Sequence, residues 1–95
     1  MLTSKDRAAL RKIANSLDTI LQVGKGGIGE QVIKQADEAL EAREIIKGKF
    51  LEYAPAIARE VAEELAAATN SDVVQVIGTK FVLYRKNKKN PKITW

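Results

Sequence analysis

Four of the six residues from Gly24 to Gly29 are glycine, and this segment constrains the fold more than any other part of the chain. It follows a short apolar run at 19–23 that is typical of a strand. It precedes an amphipathic segment that runs from Gly29 or Glu30 to about Ala42. Because glycine adopts backbone angles that other residues avoid, we predict a tight connection from a strand into a helix.

The spacing of apolar residues predicts two more helices and three more strands. One helix is capped by Thr3 or Ser4 and runs to about Ser16, and another begins at Pro55 and ends before Asn70. The further strands cover 44–51, 73–77 and 80–85. The resulting order αβαβαββ describes a single α/β domain with at least one right-handed parallel crossover and a closing hairpin.

The third helix and the second strand carry more specific expectations. The buried stripe of the third helix is predicted to consist of Ile57, Val61, Leu65 and Ala68. Gly48 lies inside the second strand, which indicates either a bulge or a close approach of another part of the backbone.

The composition excludes several classes of site. Neither cysteine nor histidine occurs among the 95 residues, so disulfides, the usual zinc ligands, thiol nucleophiles and imidazole catalysis are excluded. We therefore expect no enzyme activity, no cofactor or metal and no small-molecule substrate. Because there is no membrane-length apolar run and no apolar leader after Met1, we expect a cytoplasmic protein. The length fits one domain, and the default expectation is a monomer.

Charge is distributed unevenly along the chain. The net charge is +4, but residues 1–25 carry +3, residues 26–70 carry −4 and residues 71–95 carry +5. Basic segments of this kind suggest an anionic partner. We expect the fold to bring the first helix, the glycine segment and the hairpin together as a positive face, with the acidic helices turned away from it.

The glycine segment fits more than one interpretation. Gly24, Gly26 and Gly29 satisfy the G-x-G-x-x-G pattern of dinucleotide-binding domains, but the chain has too few strands for a doubly wound sheet. A phosphate-binding P-loop is excluded because no Gly-Lys-Ser or Gly-Lys-Thr occurs. Residues 24–27 also satisfy G-x-x-G, with which KH-like modules bring a bare backbone close to the sugar-phosphate of RNA. The remaining interpretation is a tight turn with no further role.

Longer blocks of sequence carry a more specific signal than the loop alone. In chain order they are Leu17-Asp18, Gln22-Val23-Gly24-Lys25-Gly26-Gly27, Glu38-Ala39-Leu40-Glu41-Ala42-Arg43-Glu44-Ile45-Ile46-Lys47, Ala62-Glu63-Glu64-Leu65, Val74-Gln75-Val76-Ile77-Gly78 and Val82-Leu83-Tyr84-Arg85. With these blocks in this order, the chain resembles the CRM domain family (chloroplast RNA splicing and ribosome maturation) in its stand-alone bacterial YhbY-like form.

The resemblance implies both a fold and a function. Members of this family are similar in having a four-stranded mixed sheet packed against three helices, related to the C-terminal domain of a bacterial translation initiation factor. The implied role is RNA binding in ribosome biogenesis, with rRNA in precursors of the large ribosomal subunit as the partner. By the same resemblance, the RNA-contacting GxxG loop consists of Gly24, Lys25, Gly26 and Gly27.

Basic side chains outside the loop are expected to contact phosphates as well. We predict such contacts for Arg7, Arg11 and Lys12 of the first helix, and for Lys80, Arg85 and Lys86 at the hairpin. The domain is expected to cover 1–85, followed by a basic tail at 86–95 in which Trp95 is a candidate for stacking on a base. The alternative function is a protein-interaction module for a ribosomal protein or an assembly factor, which would use the acidic middle segment.

Overall fold

A computed structural model of the chain describes residues 2–24, 26–87, 89 and 91, and of Pro55 only the backbone. The helices are α1 (Ser4–Ala14), α2 (Glu30–Arg43) and α3 (Pro55–Thr69), and the strands are β1 (Thr19–Val23), β2 (Ile45–Phe50), β3 (Asp72–Ile77) and β4 (Lys80–Tyr84). The predicted order αβαβαββ is confirmed. Lys25 and Trp95, both named above as candidate RNA contacts, lie outside the described residues.

The strands form one mixed sheet in the order β1-β2-β4-β3. β1 and β2 are parallel, and β4 runs antiparallel to both β2 and β3. Three strands therefore finish at the same end of the sheet, termed here the loop end. It holds the glycine segment 24–29, the β2–α3 connection 51–54 and the β3–β4 turn 78–79. The other end, where β4 finishes, is termed the anchor end.

The helices cover both faces of the sheet. The main core lies between the sheet and α2 and α3, and contains Leu21, Val23, Ala36, Leu40, Ile46, Phe50, Ala58, Ala62, Leu65, Ala66, Phe81 and Leu83. A second core lies under α1 and contains Leu10, Ala14, Ile45, Val74, Val82 and Tyr84. Successive residues of β2 and β4 enter opposite cores because side chains alternate along a strand. Within the described part of the chain, every helix is too short or too polar to cross a membrane.

Gly48 lies in the middle of β2, opposite Phe81 of β4. A methyl group added at Gly48 would overlap the Phe81 ring, which covers the glycine and stacks on Phe50 with ring centroids 4.5 Å apart. Gly48 is therefore approached closely by an aromatic side chain, whereas the prediction was a close approach of backbone or a bulge in β2. The irregularities of this sheet lie instead in β1, between Thr19 and Leu21, and in β3.

α3 packs on the sheet through a stripe that overlaps the predicted one only in part. Its buried residues are Ala58, Ala62, Leu65, Ala66 and Thr69. Ile57 is 49% exposed, and Ala68 is also exposed. The prediction is confirmed for Leu65, which is buried, and in part for Val61, which is half-buried against the core, but it is wrong for Ile57 and Ala68. The alanine-lined face lets the helix backbone pack closely on the sheet.

Candidate functional site

The glycine segment forms a compact loop between β1 and α2. The Gly27 N–H donates to the Gly24 carbonyl oxygen at 3.0 Å, which closes a turn over these residues. Gly27 has a φ of +81°, a conformation that favours glycine. At Gly24, Gly26 and Gly29, no described residue other than the two chain neighbours has an atom within 4 Å of the position that a Cβ would take. The loop backbone is therefore open to a large ligand.

Tyr53 holds the glycine loop in place from the β2–α3 connection. Its hydroxyl donates to the Gly24 carbonyl oxygen at 3.0 Å, and its ring packs against Phe50 with centroids 5.4 Å apart. The loop is thereby joined to the main core through one aromatic pair. This role was not predicted; the signal for it is an aromatic residue placed in a connection rather than in a strand or helix.

Two helices begin at the loop end without a side-chain cap. Gly29 is the N-cap of α2 and Ala54 is the N-cap of α3, and neither provides a capping hydrogen bond. By contrast, Thr3 and Asp6 form a complete capping box at the start of α1. Uncapped N-termini present free N–H groups and the positive end of the helix dipole, which Glu30 offsets in part at α2. The loop end is therefore suited to bind anions.

The three predicted basic residues of α1 do not share one environment. Arg7 donates from Nη1 to the Val73 carbonyl oxygen at 2.6 Å, which fastens α1 to β3. Arg11 lies one turn after Arg7 on the same side of the helix, and both Arg11 and Lys12 are exposed. The exposed pair can contact a ligand, whereas the Arg7 guanidinium already has a protein partner.

β4 separates the other three predicted residues. Lys80 is exposed at the loop end, where the strand begins, whereas Arg85 and Lys86 follow its last residue at the anchor end. A strand of five residues spans about 17 Å. Lys80 therefore lies at the opposite end of the hairpin strand from Arg85 and Lys86, and the three do not form one cluster.

Arg85 is the centre of a hydrogen-bond network at the anchor end. Its guanidinium donates to the Asp37 carboxylate at 2.6 Å, to the Glu41 carboxylate at 3.4 Å and to the Thr69 carbonyl oxygen at 2.8 Å. These acceptors belong to α2 and α3, so Arg85 joins both helices to the end of β4. Its side chain is only 18% exposed, and its donors serve the fold more than a ligand.

Glu44 and Asn87 extend this network along the chain. Glu44 is fully buried at the end of α2 and accepts from the Asn87 backbone N–H at 2.7 Å. The Asn87 Nδ2 donates to the Glu41 carbonyl oxygen at 3.1 Å. Hydrogen bonding to the domain therefore continues two residues beyond the boundary predicted at residue 85.

One groove of the described residues lies away from the glycine loop. Its volume is about 540 Å³, and it is lined by Ile13, Ser16, Leu17, Asp18, Ile20, Arg43, Ile45, Ile46 and Lys47. The described residues contain no group of three acidic side chains placed to hold a metal ion. The arrangement with the clearest chemistry is therefore the open glycine loop beside two helix N-termini, which suits an anionic backbone.

The described residues form a small α/β domain in which an open glycine loop connects a strand to an uncapped helix. The chain belongs to the CRS1 / YhbY (CRM) domain family, whose model matches residues 2–85. The family resemblance predicted from the sequence blocks is confirmed. The fold implied by it, a four-stranded mixed sheet with three helices, is confirmed as well.

Known proteins match this chain over nearly its whole length. Probable RNA-binding protein YqeI of Bacillus subtilis is 46% identical over 93 residues, covering 98% of this chain and 97% of the relative. Probable RNA-binding protein PA4753 of Pseudomonas aeruginosa is 34% identical over 91 residues, covering 96% of this chain and 88% of the relative. The solution structure of the hypothetical protein SAV1595 from Staphylococcus aureus superposes with a TM-score of 0.87 at 48% identity, covering 99% and 98% of the two chains.

Proposed function

We propose that this protein binds RNA without catalysing a reaction, and that it acts in ribosome biogenesis by holding rRNA in precursors of the large ribosomal subunit. The observation that carries the proposal is the open glycine backbone beside two uncapped helix N-termini. Two relatives that match nearly the whole chain carry the name "probable RNA-binding protein", which supports it. The ribosomal role rests on the family resemblance.

In this proposal the backbone of Gly24, Gly26 and Gly27 lies against the sugar-phosphate of structured RNA. A Cβ at these positions would hold the phosphate away, and the N–H groups at the start of α2 are available to phosphate oxygens. Lys25 adds a positive charge to the loop. Because glycine has no side chain with which to read base edges, RNA shape contributes more to specificity than sequence does.

Basic side chains outside the loop add phosphate contacts. Arg11, Lys12, Lys80 and Lys86 are exposed and serve as direct contacts. Arg7 and Arg85 have partners within the protein, so they contribute charge and hold their surroundings in place. We further propose a cytoplasmic monomer that needs no cofactor, with residues 86–95 as a basic tail to the domain 1–85.

The test compares the wild-type protein with Lys25→Ala in binding to a fragment of large-subunit rRNA across a salt titration. Each phosphate contact contributes about 0.7–0.9 to the slope of log affinity against log salt concentration. We expect wild-type affinity to fall steeply with salt. The variant should bind more weakly and with a shallower slope, while circular dichroism confirms that both proteins are folded.

Lys34→Ala is the matched control, because it removes the same charge from an exposed position on α2. It should bind RNA nearly as the wild type does. Equal weakening in both variants would mean that the glycine loop makes no special contact. If the folded wild type fails to bind RNA at low salt, the proposed function is wrong, and the acidic protein-interaction surface becomes the working hypothesis.

A further inference from the structure

α1 covers only part of its face of the sheet. The residues that pack beneath it, Ile45, Val74, Val82 and Tyr84, are all buried. Nearer the loop end, one row of paired residues crosses all four strands: Gln22 on β1, Lys49 on β2, Lys80 on β4 and Ile77 on β3. Gln22 and Lys80 are exposed, and Ile77 is 65% exposed. Lys49 between them is half-buried, so this part of the sheet is largely, but not fully, open to solvent.

The lysines of the row point away from α2 and α3. Phe50 follows Lys49, and Phe81 follows Lys80, and both rings lie in the core beneath those two helices. Because successive residues of a strand point to opposite faces, both lysines lie on the α1 face. Lys47, two residues before Lys49, lies on that face as well. Three lysines therefore share the face that α1 leaves partly open.

Lys49 and Lys80 are directly opposite each other on neighbouring strands. Like charges in this position destabilise a sheet. The ion pairs of the described residues are those of Arg85 with Asp37 and Glu41, so within this part of the chain no carboxylate compensates the two lysines. A cross-strand pair of uncompensated cations works against folding, and an anionic ligand would relieve the repulsion.

The side chains and the spacing of this row also favour one kind of anionic ligand. The row contains amide and aliphatic side chains beside its lysines, but no aromatic ring on which an unpaired base could stack. Neighbouring strands are about 4.8 Å apart, and residues two positions apart along a strand are separated by about 6.7 Å. A cationic surface with this regular spacing suits the phosphates of a helical RNA backbone better than splayed single-stranded bases.

We propose that Lys47, Lys49 and Lys80, termed the lysine patch, bind phosphates of helical RNA as a second contact surface beside the glycine loop. This rests on the proposed RNA-binding function and specifies the form of RNA bound. β1 joins the two surfaces, because Gln22 in the row lies two residues before Gly24. Sequence reasoning missed the patch because Lys47 and Lys49 fall in the acidic segment 26–70, although the Lys-Gly-Lys spacing is a signal for two lysines on one face.

The test uses Lys49→Gln/Lys80→Gln in the full chain, with Lys5→Gln/Lys34→Gln as a control that removes the same charge from exposed helix positions. Both are titrated with an RNA hairpin and with an unstructured RNA of equal length over a range of salt. For the hairpin, we expect the patch variant to lose at least tenfold in affinity and about 1.4–1.8 in salt slope, for two lost contacts. The control should lose little of either, and the unstructured RNA should respond less to the patch variant.

Thermal unfolding provides a second readout. Removing the opposed lysines should leave the unfolding midpoint unchanged or raise it, because the repulsion is relieved. A lowered midpoint would mean that the pair supports the fold, and would overturn the inference. The inference would also be overturned if the patch variant and the control bound the hairpin with equal affinity. The same holds if the patch variant lost more affinity for the unstructured RNA than for the hairpin. If Lys25→Ala still weakens binding in that case, the proposed function stands without the patch; a wild type that binds no RNA would refute both.

Discussion

The loop end and the anchor end of the sheet differ in how side chains hold them. At the anchor end, Arg85, Glu44 and Asn87 connect α2, α3 and the end of β4 through hydrogen bonds with charged or buried partners. In the three connections of the loop end, among the described residues, the one side-chain hydrogen bond joins Tyr53 to Gly24. Two backbone hydrogen bonds of 2.8 Å also join elements at the loop end. The Phe50 N–H donates to the Thr79 carbonyl oxygen, and the Leu51 N–H donates to the Val23 carbonyl oxygen.

The anchor end therefore stabilises the fold, whereas the loop end is available to a ligand. A network of side chains at one end keeps both helices fixed against the sheet. At the other end, backbone N–H groups and glycines remain accessible, and a single tyrosine restrains the loop. Regions with few side-chain restraints adjust most easily to a partner, and a rigid scaffold beside them keeps the contact surfaces in register.

The largest expected effect comes from breaking the anchor end with Arg85→Met. The change removes the donor to the Thr69 carbonyl and to the carboxylates of Asp37 and Glu41. Hydrogen bonds that involve a charged group each contribute about 1.5–3 kcal/mol, but the two carboxylates are exposed and contribute less. We expect the free energy of unfolding to fall by about 2 kcal/mol in urea denaturation.

Lys86→Met is the matched control for this prediction. It removes the same charge from the next residue, which is exposed and has no side-chain hydrogen bond among the described residues. Its effect on the free energy of unfolding should be below about 0.5 kcal/mol. Similar losses of stability in the two variants would contradict the anchoring role of Arg85.

A smaller effect is expected from raising the pH, which acts on the anchor end through Tyr84. Burial raises the pKa of the Tyr84 phenol above its ordinary value of 10.0, and the carboxylates of Glu44, Asp6 and Asp72 raise it further. The folded state thus favours the neutral phenol, and this preference stabilises the fold. The stabilisation is complete below pH 10 and is lost as the pH rises through the folded-state pKa of Tyr84.

The measurement is the free energy of unfolding of wild type and Tyr84→Phe between about pH 9 and pH 11. The variant has no phenol to ionise, so its stability should fall less over this range, whatever its stability at neutral pH. Parallel curves for the two proteins would show that Tyr84 makes no contribution to the alkaline loss.

The smallest effect on stability is expected from loosening the loop end with Tyr53→Phe. The ring and its packing on Phe50 remain, and only the hydrogen bond to Gly24 is lost, which corresponds to about 1 kcal/mol or less. Hydrogen exchange should accelerate at the Gly27 amide, which shares the same carbonyl acceptor. RNA affinity should fall a few-fold as the loop becomes less ordered.

Ser16→Ala is the control for the loop, because it also removes one exposed hydroxyl that donates to a carbonyl oxygen, that of Ile13. It should leave the exchange of the Gly27 amide and the RNA affinity unchanged. If Tyr53→Phe also leaves Gly27 exchange unchanged, the hydrogen bond does not restrain the loop.

Local patterns were sufficient where the deciding residues are close in the chain. β1 was predicted with its observed bounds because its apolar run stops at the glycines. Thr3 was one of two predicted caps of α1, and it closes a capping box with Asp6 three residues later. The apolar stripe of α3 was partly misplaced because the same sequence allows two adjacent helix faces, and only contact with the sheet selects the alanine-lined one.

Residues with distant partners could not be predicted in the same way. Arg7 and Arg85 read as surface cations in the sequence, whereas their acceptors lie 66 and up to 48 residues away in the chain. The roles of Tyr53 beside Gly24 and of Lys49 opposite Lys80 depend likewise on which strands become neighbours. A charge count by segment cannot detect a cluster that is assembled from separate strands.

The sequence by itself determined the order of helices and strands, the position of the glycine loop and the family, because these depend on local spacing and on short blocks of residues. Tertiary structure alone decided that β4 lies between β2 and β3. That strand order brings two lysines together on a partly open face, and the antiparallel direction of β4 places Arg85 at the end of the sheet opposite the loop. The physical reason is that strand neighbours are selected by the packing of the whole core, which no single segment encodes.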